Sequence, residues 1–334
     1  MGTAPLERNG VRRICRALIW SCCVGLAGSA LAEDKRQDPA TVIVVVGAPG
    51  EANYEKDFQK WAENWEKAAS RAGAREVTIG LKESAEGSDR ELLKKTLANE
   101  STNGMNELWV VLIGHGTFDG KEAKFNLRGP DFSAEELASW VKPIHRPMAI
   151  INCASASGSF LGKLSAPDRI VVTAAKSGNE QNFARFGQYL SEAMTDLRAD
   201  LDKDGQVSLL EAFLYASREV AEFYNLEGRL ATEHALLDDN GDGLGTPADW
   251  FRGVRAVKKA SEKALLDGVR ANQFHLVRSE DEGKLSPEIR GRRDELERSI
   301  AKLREEKSSL GEDAYYQKLE ALLVEMARLA VPKK

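Results

Sequence analysis

Histidine and cysteine are both scarce in this chain, four of each among 334 residues. Cys15, Cys22 and Cys23 crowd into the first stretch, and His115, His145, His234 and His275 are scattered, so no zinc-type ligand cluster can be drawn. Positive charge is not in excess either: 47 Lys and Arg stand against 52 Asp and Glu, a formal net charge of −5. That excludes the basic stripe with which nucleic-acid binders displace counterions. No apolar run reaches the roughly 20 residues of a membrane-spanning helix. Gly47-Ala48-Pro49-Gly50 lacks both the Gly-Lys-Ser/Thr ending of a phosphate loop and the three glycines of a dinucleotide fingerprint. Among so many acids, no carboxylate pair for glycoside hydrolysis stands out. With 42% hydrophobic and 30% charged residues, the disordered and fibrous classes also fall away.

What is present begins with a leader. Arg8, Arg12, Arg13 and Arg16 precede an uncharged apolar stretch from Ala17 to Leu31, which ends in Ala30-Leu31-Ala32. This is the layout of a secretory signal peptide over residues 1–32, cleaved after Ala32, and it predicts an extracytoplasmic protein, periplasmic or secreted. No stable membrane span is expected after cleavage. Losing Arg8, Arg12, Arg13, Arg16 and Glu7 moves the formal charge from −5 to −8 and leaves Cys153 as the sole cysteine. A lone cysteine in an exported protein is either a small buried hydrophobe or a reactive thiol.

Beyond the leader, β-branched runs alternate with helical periodicity. Strands are predicted at 41–47, 76–80, 107–114, 148–152 and 169–174, with helices at 54–72, 89–98 and 133–141 between them. Continuous apolar strands read as buried on both faces, so a doubly wound α/β domain with a mainly parallel sheet and flanking helices is predicted over residues 33–180. In the first helix Phe58, Trp61 and Trp65 share one face and read as core. From Asn182 onward the pattern reads as helical, giving a second region over 181–277. Residues 278–334 carry apolar positions at steps of 3, 4 and 7, broken at Ser308-Ser309-Leu310-Gly311. That predicts a C-terminal helical hairpin or coiled coil, a packing element through which copies of the chain can self-associate.

Two residues with reactive chemistry sit at the carboxyl ends of predicted strands, where parallel α/β sheets bind ligands. His115 follows Val110-Val-Leu-Ile-Gly, and Cys153 follows Ala149-Ile-Ile-Asn. If those strands are adjacent, both emerge on one rim, and an imidazole can convert the thiol into a nucleophile. The N–H groups of Gly116 and Cys153 are candidate oxyanion donors. His145 precedes its strand and belongs at the opposite end, about 16 Å away; His234 and His275 fall in the helical region. A hydrophobic strand ending in His-Gly, then another ending in Cys with a small residue two later, resembles the caspase-like fold of cysteine peptidases, which includes caspases, legumains, gingipains and separases. The similarity runs from about Thr41 to Tyr189. Asn152-Cys153-Ala154-Ser155 departs from the Gln-Ala-Cys-x-Gly signature of caspases and is closer to the Cys-x-Ser of legumains. The resemblance implies His115 as catalytic histidine, Cys153 as nucleophile and Gly116 as oxyanion donor. A legumain-like layout further implies a C-terminal tail that caps the site.

Asp200-Leu-Asp202-Lys-Asp204-Gly-Gln206-Val-Ser208-Leu-Leu-Glu211 fills every ligand slot of a twelve-residue EF-hand calcium loop. Carboxylates stand at positions 1, 3 and 5, glycine at 6, the Gln206 carbonyl at 7 and Glu211 at 12. Helices are predicted on either side, at 186–198 and 209–223. A second loop, 238–249, offers Asp238, Asn240, Asp242, the Leu244 carbonyl and Asp249, whose shorter side chain closes a site less readily. It fits an EF-hand partner, an Asx-rich turn, or a loop reaching the catalytic rim. The expectation is an exported cysteine endopeptidase acting on peptide or protein substrates, with structural Ca²⁺. The alternatives are an inactive calcium-binding interaction protein on the same scaffold and a transpeptidase using the same dyad.

Overall fold

The computed structural model describes Met1 and residues 39–330 apart from 83, 84, 86 and 263. Residues 2–38, with the expected signal peptide and Cys15, Cys22 and Cys23, lie outside the described residues.

The β-branched run Thr41–Val46 forms β1, followed by α1 (Ala52–Ala72) and β2 (Arg75–Ile79). α2 (Asp89–Ala98) leads to β3 (Leu108–Ile113). A small antiparallel sheet of β4 (Gly116–Phe118), β5 (Ala123–Phe125) and β6 (Phe132–Ser133) precedes α3 (Ala134–Val141). Then come β7 (Met148–Asn152), α4 (Gly158–Leu164), β8 (Arg169–Thr173), α5 (Phe186–Ala193) and α6 (Leu209–Leu226). β1, β2, β3, β7 and β8 pair in parallel, in the spatial order β8-β7-β3-β1-β2. Every residue of β1, β3 and β7 is buried, because helices cover both faces of the sheet's centre. The doubly wound α/β expectation holds.

Alternation along the strands sorts the core into two layers. Val42, Val44, Trp109, Val111, Ile113, Ala149, Ile151 and Cys153 face α1, α5 and α6. Ile43, Val45, Val110, Leu112, Ile150 and Val171 face α2, α3 and α4. Full burial of each such side chain contributes about 1.5–3 kcal/mol, which makes these strands the stable part of the molecule. α1 supplies Phe58, Trp61 and Trp65 to the first layer and stops at Gly73, whose φ of 63° supplies the left-handed cap. α2, α3 and α6 each open with a Ser/Glu capping box, at Ser88/Glu91, Ser133/Glu136 and Ser208/Glu211.

The region beyond Asn182 differs from its all-helical reading. β9 (Leu236–Asp238) adds antiparallel to β8, and β10 (Thr246–Pro247) adds to β9, so the main sheet has seven strands among the described residues. A hairpin of β11 (Phe251–Arg252) and β12 (Arg255–Ala256) follows. Strands of two or three residues are too short to show a period, so their pairing partners decide them. α5 likewise ends at Ala193, short of the predicted 198.

α7 (Val269–Asn272) and α8 (Glu280–Lys284) lead into the predicted hairpin, α9 (Pro287–Glu305) and α10 (Glu312–Ala330). Leu296, Ile300, Leu303 and Tyr315 are buried there, and Arg292 pairs with Glu325 across the two helices. The segment entering the hairpin is tied down by an Arg278–Glu107 ion pair. Glu107 directly precedes β3, so this tie lies at the amino-terminal rim of the sheet. The expectation of a tail capping the carboxyl-terminal rim is corrected: the tail docks at the other end. No helix among the described residues is long and apolar enough to cross a membrane.

One glycine tests the packing of the parallel layer. Gly80 ends β2 at φ +98°, and a Cβ there would lie 1.9 Å from the Val46 carbonyl oxygen; Gly129, at φ +102°, has open space around it. Gly80→Ala is expected to lower the unfolding free energy by about 2–4 kcal/mol, and Gly129→Ala by about 1 kcal/mol. Urea denaturation of both variants checks this; equal losses would refute the steric account.

Candidate active site

β3 and β7 are adjacent and parallel, in a register that pairs Leu112 with Asn152. Cys153 therefore stands level with Ile113, and His115 lies two positions further along the neighbouring chain. Odd-numbered residues on both segments share a face, so both side chains belong to the side covered by α1 and α5. At ordinary strand spacing and rise, the two Cβ positions are about 8 Å apart on one diagonal. This rim is the carboxyl-terminal end of the parallel strands.

The chain leaving β1 holds the imidazole. His115 Nε2 lies 3.1 Å from the Pro49 carbonyl oxygen. A carbonyl only accepts, so the neutral ring carries its proton on Nε2 and leaves Nδ1 as the basic nitrogen. The ring packs edge-on against Tyr54 at 4.9 Å and Phe58 at 5.2 Å, with Phe183 at 6.0 Å. Burial among these rings holds its pKa below the ordinary 6.5, and the Pro49 carbonyl and the Glu51 carboxylate oppose that only in part. The imidazole is neutral at pH 7.

Cys153 is fully buried. Burial pushes its thiol pKa far up, and the nearby Glu233 carboxylate adds to the rise. The thiol is therefore protonated at rest. α5 lies directly on it: a Cβ at Gly187 would come within 2.7 Å of the Cys153 Cβ and 3.0 Å of the Trp61 ring. Only glycine permits that approach.

The candidate oxyanion donors are both engaged in this conformation. Gly116 N–H donates to Ser155 Oγ at 3.1 Å, and the Ser155 hydroxyl in turn donates to the Gly116 carbonyl at 3.1 Å. The Cys153 N–H donates to the Leu112 carbonyl at 2.9 Å, continuing the ladder. Freeing the Gly116 N–H requires the Ser155 side chain to turn about its Cα–Cβ bond and carry Oγ away; freeing that of Cys153 requires the ladder to open at its last rung.

Several rim residues carry no sequence signal. Glu233, buried, accepts from the N–H groups of Arg185 at 2.8 Å and Phe186 at 3.0 Å, and so caps α5 from outside it. Burial raises its pKa against those donors. Glu180 gathers the His234 Nδ1 at 2.5 Å and the Lys176 Nζ at 3.6 Å. His234 thus sits in the lead-in to β9 at this rim, not among helices, and is occupied by Glu180. His145 is exposed and precedes β7 at the far end, as expected, while His275 is buried beyond α7.

The first acidic loop lies between α5 and α6. Carboxylate oxygens of Asp200, Asp202 and Asp204 come within 4.8 Å of one another. Burial and the neighbouring Glu211, Asp204 and Asp200 raise the Asp202 pKa, the mark of crowded negative charge that a cation relieves. Glu211 is buried and holds the loop closed, accepting from Leu201 N–H at 2.7 Å and Ser208 N–H at 2.8 Å. Gln206 ties the loop to the segment before α8, accepting from Ser279 N–H at 3.1 Å. In the second loop Asp238 accepts from Gly241 and Gly243 N–H, Asn240 from Asp242 N–H, and Asp242 from Leu244 N–H. That is an Asx-rich turn joining β9 to β10, entered from a strand where an EF-hand has a helix. Asp249 lies in a 3₁₀ turn after β10.

No family model matches this chain, and no curated protein matches it. Among solved structures it is similar to the Drosophila initiator caspase Dronc, at 14% identity and a TM-score of 0.39, over 61% of this chain and 80% of that one. It is also similar to caspase-1 from Spodoptera frugiperda, at 12% identity and a TM-score of 0.39, over 61% of this chain and 87% of that one.

The buried, protonated state of Cys153 has a chemical consequence. Alkylation by iodoacetamide at pH 7.5 is expected to be roughly a hundredfold slower in the native protein than in urea, where the thiol is exposed at its ordinary pKa. Equal rates would show that the thiol is open and ionisable in the native state.

Proposed function

We propose that this chain is a cysteine peptidase using His115 and Cys153. The observation carrying this reading is their placement on one face of two adjacent parallel strands, at the carboxyl rim, with the His115 tautomer set by Pro49. Substrate entry displaces the Phe183 segment from the rim and brings a peptide carbonyl over Sγ. His115 Nδ1 removes the thiol proton as sulfur attacks the carbonyl carbon, and the oxyanion takes the Gly116 N–H once the Ser155 hydroxyl has turned. The imidazolium then protonates the leaving amine. The same nitrogen next activates a water, which releases the acid and restores the thiol.

A second reading has one observation in its favour. The complete burial and raised pKa of Cys153 suit an inactive scaffold whose cysteine is only core. Against it stands the placement of both side chains on one face at the carboxyl rim, where the Pro49 bond leaves His115 Nδ1 as the basic nitrogen. The signal peptide expectation is kept as part of the proposal: the enzyme works outside the cytoplasm. There the first acidic loop holds Ca²⁺ through Asp200, Asp202, Asp204, the Gln206 carbonyl and Glu211, a structural clamp between α5 and α6. The second loop has the same internal hydrogen bonds as the first but is entered from a strand and offers the shorter Asp249 in its closing slot, and is proposed as a turn.

Three measurements test these points. Cleavage of a mixed fluorogenic peptide library, and labelling by a peptidyl thiol-directed probe, are expected to fall by about a thousandfold or more in Cys153→Ala and in His115→Ala. Activity that survives either change rules out the dyad. Because the His115 pKa is depressed, the neutral base persists below the ordinary value, so the acid limb of kcat/KM is expected to have its midpoint below 6.5. For calcium, the thermal midpoint is expected to rise between chelator and millimolar Ca²⁺, by the equivalent of about 2.7 kcal/mol if the ion is at a hundred times its Kd. Glu211→Gln is expected to abolish that rise; an unchanged midpoint in the parent protein argues against the site.

A further inference from the structure

At the amino-terminal end of β7 and β8, the rim opposite His115 and Cys153, the chain leaves a cavity of about 560 Å³. That volume falls within the roughly 300–1,000 Å³ of small-molecule sites. β7 is five residues long, so about 16 Å of strand separates the cavity from the carboxyl rim. Lys142, His145, Arg146, Lys163 and Arg169 line it, and Asp168 is the one acid among its described lining residues. Asp168 is already paired with Arg270 at 2.6 Å, so the wall offers these cations no free carboxylate.

Topology gathers the positive charge. Arg169 opens β8 beside Met148 at the start of β7. Its guanidinium donates to the Leu164 carbonyl at 2.7 Å and the Val141 carbonyl at 3.4 Å, the last residues of α4 and α3. Those bonds leave the rest of the guanidinium fork for a ligand. Burial lowers the Arg169 pKa, and no carboxylate pairs with it among the described residues. Lys142, directly after α3, and His145 are exposed, and their side chains have no partner among the described residues. Lys163 reaches Glu135 at 2.7 Å in an exposed pair of the kind that exchanges readily. Arg146 differs: it is buried on Glu100 and belongs to the fold. Cations at helix C-termini complement about half a unit of negative charge per helix, which Lys142 and Arg169 alone exceed. The wall also holds a hydroxyl in reserve. Ser165 closes α4, and its Oγ is buried without a hydrogen-bond partner among the described residues.

We propose that this cavity is a binding site for a small phosphate monoester. The Arg169 guanidinium and the Lys142 ammonium take the phosphoryl oxygens, and Ile144, Met148 and Pro167 give the organic part an apolar wall. A doubly charged tetrahedral group suits cations supplied by α3, α4 and β8 better than a singly charged carboxylate does. The site stands independently of the peptidase reading, since it lies at the other end of the strands.

Isothermal titration of the protein with phenyl phosphate, benzoate and phenol tests this. Phenyl phosphate is expected to bind roughly tenfold or more tightly than benzoate, and phenol not at all. The phosphate ester is also expected to raise the thermal midpoint. Lys142→Gln is expected to weaken phenyl phosphate binding by about tenfold, and Arg169→Lys, which keeps the charge but loses the fork, by a similar factor. Lys121→Gln, in the exposed turn between β4 and β5 at the opposite rim, is expected to leave it within about twofold. Because Arg169 also joins two helix ends, the Lys142 variant decides where Arg169→Lys does not fold. Cations that serve only to balance the helix ends predict another pattern: Lys142→Gln lowers the thermal midpoint, and phenyl phosphate affects neither protein. That pattern, equal binding of phenol, or an affinity unchanged in Lys142→Gln overturns the proposal.

Discussion

The parallel ladder between β3 and β7, from Leu108–Met148 to Leu112–Asn152, sets the position of everything above it. Both strands are buried throughout, so a one-residue slip would turn Trp109, Val111, Ala149 and Ile151 to the wrong layer and cost several fully buried side chains at once. That penalty locks the register, and the register alone puts His115 and Cys153 on one face, two positions apart. The glycine at 187 is a consequence of the same geometry. Once Cys153 points into the α1 and α5 layer, the helix passing over it has no room for a side chain.

Burial then sets the electrostatic state of the pair. The same apolar layer raises the thiol pKa and lowers that of the imidazole, so both partners are neutral at rest. An ion pair pre-formed in this layer would carry the desolvation cost of two charges. The neutral arrangement avoids it. Glu233 lies close enough to Cys153 to oppose ionisation, yet it serves the fold by capping α5. Charge at this rim is thus tied up in structure, with Glu233 on α5 and Glu180 on His234 and Lys176.

Much of this was legible from residue order. The runs Thr41–Val46, Leu108–Ile113 and Met148–Asn152 announce doubly buried parallel strands because a continuous β-branched stretch suits no other setting as well. The neighbouring positions of His115 and Cys153 were legible because each closely follows one of those runs. The acidic loop from Asp200 to Glu211 was legible because its spacing is local in sequence. Pro49, Glu233 and Glu180 were not, since each acts on a residue 66, 48 or 54 positions away through a backbone atom or a loop. β9 and β10 escaped because two or three residues show no period, and β8, on which β9 pairs, lies more than sixty residues earlier.

The sequence by itself determined the layering of the sheet, the helix caps and the residues at the strand ends, because each depends on neighbours within a few positions. Only the tertiary structure decided that the thiol is sealed beneath α5, that a proline carbonyl orients the imidazole, and that the C-terminal hairpin docks at the rim opposite His115 and Cys153. Those outcomes depend on which distant surfaces meet. Burial, the force that shifts both pKa values, is a property of the packed molecule and belongs to no single residue.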